Sequence, residues 1–149
     1  MISIVRTNSS NQDFRQLVQF LDKDLVVKDG DQHAFFAQFN KLDHINHVLV
    51  ASMGNVAVGC GAIKEFDEQT AEVKRMFVLP AFRGRGIAGQ LIQELERWAA
   101  ELGYTNCILE TGLKMTDAIR VYQKAGYTIT GNYGPYVGVK ESVCMKKIL

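Results

Sequence analysis

One short run constrains this chain more than any other. Arg83-Gly84-Arg85-Gly86-Ile87-Ala88-Gly89 stands between an apolar strand pattern and a strongly amphipathic stretch of the sequence. Downstream, Ala88, Leu91, Ile92, Leu95, Trp98, Ala99 and Leu102 recur at helical spacing, and Gly103 follows where a left-handed residue is wanted. Upstream, Ala71 to Val78 reads as a strand that Pro80 ends. The chain must therefore pass from strand to helix through a loop rich in glycine. The first turn of such a helix leaves backbone N–H groups without partners, and its dipole adds partial positive charge there. Glycines at 84, 86 and 89 let a bulky anion approach, while Arg83 and Arg85 supply two cations suited to phosphate oxygens. A solvated glycine loop is the plainer reading of the same residues. The coincidence of three glycines, two arginines and a helix start points instead to a diphosphate cradle.

The rest of the chain supplies a frame for it. Ile2 to Arg6 reads as a short strand, and Ser9 or Ser10 as the cap of a helix with Phe14, Leu17, Val18 and Leu21 on one face. Lys28 to Asp31 reads as a turn, and Ala34 to Leu42 as a second helix carrying Phe35, Phe36 and Phe39. His47–Ser52 and Val56–Lys64 form a hairpin around Gly54-Asn55, and Glu65 to Gln69 a polar turn. After the long helix come a strand at Asn106–Glu110, a helix capped by Thr116 and closed by Gly126, and strands at Tyr127–Thr130 and Val143–Ile148. Strands and helices in this order make one mixed α/β domain over residues 1–149.

Composition sets outer limits. A net charge of +1 gives no general field for nucleic acid or an acidic membrane, so any anion site has to be local. Cys60, Cys107 and Cys144 are odd in number and lie in apolar runs, which fits buried thiols in a reducing compartment. The N-terminus lacks the pattern of a signal peptide, and no apolar run approaches the ~20 residues that span a bilayer. A cytoplasmic protein without membrane or nucleic-acid partners is expected. His33, His44 and His47 have no metal-site spacing, so no metal is expected.

The spacing Gly84-x-Gly86-x-x-Gly89 also satisfies the dinucleotide fingerprint formally. No acidic residue occupies Gly103 to Cys107, where a ribose partner would fall, and antiparallel strands precede the loop. A P-loop lacks its Lys-Ser/Thr. The run Ala71 to Pro80 followed by Phe82 to Ala88 instead resembles the central motif of the GNAT N-acetyltransferase superfamily, whose (Gln/Arg)-x-x-Gly-x-(Gly/Ala) pattern is met by Arg83, Gly86 and Ala88. Ala118-x-x-x-Tyr122-x-x-x-Gly126-Tyr127 resembles the family's second segment. Met115 stands where the family often carries an asparagine. The likeness runs from about Val48 to the end.

That resemblance implies a GNAT fold, with a central, twisted, mostly antiparallel sheet of about 6–7 strands flanked by about 4 helices, and acetyl-CoA as cofactor. Phe77 and Val78 would pair with the pantetheine arm, and Arg83, Gly84, Arg85, Gly86, Ile87, Ala88 and Gly89 would hold the pyrophosphate. Tyr122 would stand near the sulfur as the acid for the leaving thiolate; a core aromatic is the structural alternative. Glu72 matches a strand glutamate that acts as base in some members, equally open to a role as an ion-pair partner of Lys74; Glu110 is a second choice. Tyr133, Tyr136 and His33 are the acceptor-side candidates, with Ser142 near the tyrosines. A small amine or amino acid is the expected acceptor. Peptide acceptors, an idle acyl-CoA-binding module and a homodimer stay open.

Overall fold

The structure, a computed structural model, describes residues 1–30 and 44–149, with Lys28 and Asp29 described by their backbone alone. Seven strands form one sheet: β1 (Ile2–Thr7), β2 (His47–Met53), β3 (Val56–Asp67), β4 (Thr70–Val78), β5 (Asn106–Gly112), β6 (Thr128–Thr130) and β7 (Ser142–Ile148). Their order is β1-β2-β3-β4-β5-β7-β6. Every neighbouring pair is antiparallel except β4 and β5. That parallel pair needs a crossover, and the long amphipathic helix supplies it. Among the described residues the α-helices are α1 (Gln12–Asp29), α2 (Ile87–Glu101) and α3 (Thr116–Lys124). The helix expected over Ala34 to Leu42 lies outside the described residues.

The sheet is covered on both faces. On one, Phe14, Leu17, Val18 and Leu21 of α1 bury against Val48, Val50, Cys60, Ala62 and Phe77. On the other, Leu91, Ile92, Leu95 and Ala99 of α2 pack with Val58, Ile63, Val73, Leu109 and Met145, joined by Tyr122 of α3. Each fully buried Leu or Ile contributes about 1.5–3 kcal/mol by leaving water, so the i, i+3, i+4 pattern of α2 fixes its seat. Cys60, Cys107 and Cys144 are all buried and unpaired with one another. Burial pushes the thiols up, Cys60 to about 12 and Cys107 to about 11.

Local punctuation departs from the sequence reading in four places. Asn11, not Ser9 or Ser10, caps α1, its side chain accepting from the Phe14 N–H at 3.0 Å. Ser9 is engaged elsewhere: its hydroxyl accepts from the Ile45 N–H at 3.2 Å, tying the helix start to the approach to β2. Lys28 and Asp29 are the last turn of α1 rather than a loop, and Gly30 closes the helix at φ 55°. β3 runs on to Asp67, because Glu65 and Asp67 still pair with Ala71 and Thr70. The Asp67 carboxylate accepts from the Gln69 N–H at 2.9 Å, making the turn tight. Finally, α3 starts from Met115 without any side-chain cap, and Thr116 is its first helical residue.

Candidate active site

The sheet opens in its middle. β4 and β5 pair over Thr70↔Asn106, Ala71↔Cys107 and Glu72↔Ile108, and no further, although both strands continue. The cause lies on the other edge of β4. Between the pairs Cys60↔Phe77 and Ala62↔Lys74, β3 has one residue, Gly61, and β4 has two, Arg75 and Met76. This bulge turns β4 away from β5. Arg75 takes a left-handed conformation at φ 59°, which costs a residue with a side chain about 1–2 kcal/mol. Two contacts offset that cost. The guanidinium of Arg75, its side chain only 1% exposed, meets Asp22 of α1 at 2.6 Å. The thiol of Cys60 donates to the Arg75 carbonyl at 3.3 Å.

The resulting cleft is lined from both sides of the sheet. Leu21, Leu25, Glu72, Arg75, Glu110 and Tyr136 stand toward α1; Val73, Met76, Met115, Ala118 and Tyr122 stand toward α2 and α3. Tyr122 is about nine-tenths buried, its ring edge-on to Tyr127 with centroids 5.8 Å apart. Its hydroxyl meets no hydrogen-bond partner among the described residues. Burial holds the phenol well above its ordinary pKa. A neutral donor facing a cleft is what this geometry offers.

Beyond β4, Pro80 to Phe82 form one short turn, and the chain enters α2 through the glycine loop. Gly84 and Gly86 both sit at φ 79°, where only glycine is at ease, and Gly86 is the N-cap. A Cβ at 84, 86 or 89 would meet no protein atom within 4 Å, so the loop borders open space. From Gly84 to Gly89, no backbone N–H donates to an acceptor among the described residues. Ile87 is buried and anchors the turn, while Gly84, Arg85, Gly86 and Gly89 are exposed. Row upon row of unpartnered donors at a helix start suits an anion with several oxygens.

The two arginines differ. Arg83 braces the loop: its Nε donates to the Val78 carbonyl at 2.8 Å, its guanidinium lies 5.5 Å from the Phe77 ring centre, and it reaches Asp24 of α1 at 4.0 Å. Arg85 spreads over Phe82 at 5.2 Å. Phe77 and Val78 put their side chains on opposite faces of β4, one beneath α1 and the other beneath α2.

On the α1 side, Glu72 accepts from the Tyr133 hydroxyl at 2.6 Å and lies 3.6 Å from Lys74. Tyr133 stacks edge-on against Tyr136, with centroids 5.7 Å apart. Asn132 donates to the carbonyls of Tyr136, Val139 and Ser142 at 3.0–3.3 Å, which stiffens this loop. Burial, and then the nearby carboxylates, push the phenols of Tyr133 and Tyr136 up. Tyr122, Glu72 and Tyr136 thus line one cleft, with Tyr133 held against Glu72 and Tyr136. His33 lies outside the described residues. His47 is away from the cleft, packed edge-on against Trp98 at 4.9 Å.

Sequence reasoning overlooked Arg75, Leu21 and Leu25. Arg75 had left a trace. Ala71 and Val73 keep a period of two, and the next inward residues are Met76 and Val78, so the alternation slips by one at Arg75.

The comparisons with known proteins agree with this geometry. The chain matches the family model described as acetyltransferase (GNAT) family over residues 12–127. An IAA acetyltransferase of Azospirillum brasilense is 33% identical over 152 residues, covering 99% of this chain and 98% of its own. A crystal structure from Klebsiella pneumoniae, designated an acyl-CoA N-acyltransferase, superposes with TM-score 0.82 at 29% identity, covering 100% of this chain and 98% of that one. A GNAT family acetyltransferase from Elizabethkingia anophelis, solved with acetyl-CoA bound, shares the fold with TM-score 0.71 at 19% identity and covers 99% and 98%. No helix among the described residues is long and apolar enough to cross a membrane. The resemblance read from the two motifs is borne out: the chain is an acyltransferase and belongs to the GNAT acetyltransferase family.

Proposed function

We propose that this protein is, as one domain, an acetyl-CoA-dependent N-acetyltransferase that acts on the amine of a small molecule by direct transfer. The observation that carries the proposal is the pairing of two features along β4. The glycine loop that follows this strand presents a run of unpartnered N–H groups, and a buried, unpartnered phenol lines the gap beside the same strand. The residues fit the cofactor on chemical grounds: Gly84 to Gly89 would hold its diphosphate, with Arg85 beside them, and Phe77 and Val78 would run alongside its arm. When bound, acetyl-CoA supplies an acetyl group activated as a thioester.

The chain's own residues then divide the work. Tyr122, kept neutral by burial, gives its hydroxyl proton to the departing sulfur. Glu72, fixed by Tyr133, takes the proton of the attacking amine. Tyr136 walls the acceptor side with Tyr133 packed against it, and α1 closes it with Leu21 and Leu25. Arg83 works at one remove, holding the loop and the end of β4 in register. The buried thiols of Cys60, Cys107 and Cys144 are poor nucleophiles, which favours direct attack over a covalent acyl-enzyme. The IAA acetyltransferase among the relatives is named for a small molecule, and this supports the same scale of acceptor here.

The test is release of free CoA thiol from acetyl-CoA across a panel of small amines, amino acids and peptides. Release with small amines supports the proposal. Release only with peptides moves the acceptor class, and silence across the whole panel beside tight acetyl-CoA binding identifies an idle acyl-CoA-binding module.

A further inference from the structure

Tyr122 reaches the cleft from a helix that is weakly held by its own residues. α3 has nine residues, fewer than the about 12–15 at which an isolated helix is even marginally stable, and its start has no side-chain cap. Of its residues Tyr122 alone is buried. The far end of α3 is fastened from outside. Lys147 of β7 donates from Nζ to the Ala125 carbonyl at 2.8 Å, one of the last carbonyls that a helix leaves without an internal partner. The same ammonium meets Glu96 of α2 at 2.9 Å. One cation on the sheet therefore ties the helix that starts at the glycine loop to the helix that carries Tyr122.

The tie has a rigid root. Lys147 pairs with Cys107 across β7 and β5, so both side chains point to the α2 face of the sheet. β7 has a neighbour on each edge. The lysine stem lies over the turn that follows α3: Gly126 has φ 102°, and a Cβ there would stand 3.4 Å from Lys147 Cε. The next residue, Tyr127, is buried and returns its N–H to the Tyr122 carbonyl at 3.0 Å, while its ring backs the Tyr122 ring edge-on. Glu96 is mostly covered, and its Oε2 has no hydrogen-bond partner among the described residues, so the Lys147 ammonium is the group that compensates this carboxylate.

We infer that Lys147, braced by Glu96, is a positioning residue for acetyl transfer: by closing α3 at Ala125 it holds the Tyr122 hydroxyl at a fixed depth in the cleft. The inference rests on the acetyl-transfer reading for its chemistry, while the placement of the ring can be read without it. A cation at the C-terminal end of α3 is also where the helix dipole favours one. Without the ammonium, the Ala125 carbonyl and Glu96 lose their shared partner, and α3 keeps its place by packing alone. A misplacement of about 1 Å can cost on the order of a hundredfold in rate, so a fraction of that is enough to register. The diphosphate cradle is spared, since Glu96 lies about 15 Å along α2 from Gly86.

Two readings of the full-length protein test this, one of them independent of activity. Labelled with meta-fluorotyrosine and saturated with CoA, the protein gives a fluorine NMR resonance for Tyr122, assigned by its disappearance in Tyr122→Phe. Lys147→Met is expected to shift or broaden that resonance and to lower kcat at least about tenfold, with acetyl-CoA affinity within about twofold of the parent. Lys147→Arg keeps the charge and enough donors for both partners, so it should return the resonance and bring kcat within about threefold. In a Tyr122→Phe background, Lys147→Met should cost less than about twofold further, because the group it positions is gone. Lys147→Gln keeps one donor and serves, with a smaller loss in the same direction, if Lys147→Met does not fold. An unmoved Tyr122 resonance in folded Lys147→Met would overturn the inference. So would a kcat loss of equal size with and without the Tyr122 hydroxyl, where Tyr122→Phe itself is slow. Should Tyr122→Phe turn over normally, or no amine be acetylated, the acid role of Tyr122 falls and the resonance alone decides the positioning.

Discussion

Replacing Gly86 separates what the loop costs the fold from what it does for an anion. Gly86 has φ 79° and ψ 10°, and a Cβ there would meet no protein atom within 4 Å. A side chain is thus penalised by backbone conformation and not by collision, about 1–2 kcal/mol. For a chain of this size that lowers Tm by about 2–8 °C. Gly86→Gln and Gly86→Glu share this cost and nearly the same volume, so they differ by one charge. At about 6 Å from a phosphate charge, a carboxylate adds about 0.7 kcal/mol at a dielectric of 80 and about 3 kcal/mol at 20. Against two phosphate charges the total is about 1.4–6 kcal/mol, with the lower half expected for an exposed loop. Calorimetry with CoA at low salt should therefore show Gly86→Glu binding at least about tenfold more weakly than Gly86→Gln, and the gap should narrow as salt rises. Equal affinities for the two folded variants at low salt would refute the placement of the diphosphate at this loop.

Further outcomes follow from other parts of the molecule. Tyr122→Phe should lower kcat by at least about tenfold with acetyl-CoA affinity nearly intact; unchanged turnover would remove Tyr122 from the mechanism. Because burial raises this phenol, the protonated form persists beyond its ordinary pKa of 10.0, so kcat should show no loss from its ionisation below about pH 10. A limb at lower pH that disappears in Tyr122→Phe would contradict this. Asp22→Asn leaves the Arg75 guanidinium without its countercharge and should destabilise by about 1–3 kcal/mol, toward the lower end because Asp22 is half exposed; unchanged urea unfolding would mean that packing alone holds the bulge. The Cys107 thiol is raised from 9.0 to about 11, so the unfolded chain loses this proton first as pH rises. Its contribution is complete below about pH 9 and fades through about pH 11, by about 3 kcal/mol. Urea titrations across that range should show the decline, and Cys107→Ala should flatten part of it; identical slopes would count against the shift.

The large elements were legible because each carries its own periodicity. α2 is readable from Leu91, Ile92, Leu95 and Ala99 alone, and the hairpin of β2 and β3 from Gly54-Asn55 between apolar runs. What sequence could not supply depends on contacts between distant segments. Tyr133 meets Glu72 across 61 positions, and Ser142 meets Glu110 only because β7 inserts beside β5. Ser9 looked like a cap until Ile45 claimed its hydroxyl. The bulge at Arg75 had a signature in the slipped alternation, but a single slip is also what an exposed arginine in a regular strand would give. Only Asp22, brought in by α1, decides between them.

The gap between β4 and β5 has a consequence for how such a protein can diversify. Its lining and the glycine loop are built from different parts of the chain. α1, α3 and Tyr136 line the gap, while loop 83–89 follows the end of β4 and contributes no residue to that lining. Substitutions at Leu21, Leu25, Glu110 or Ser142 can therefore reshape the gap without disturbing a backbone amide of the loop. Tastes in one partner can drift while the grip on the other stays put.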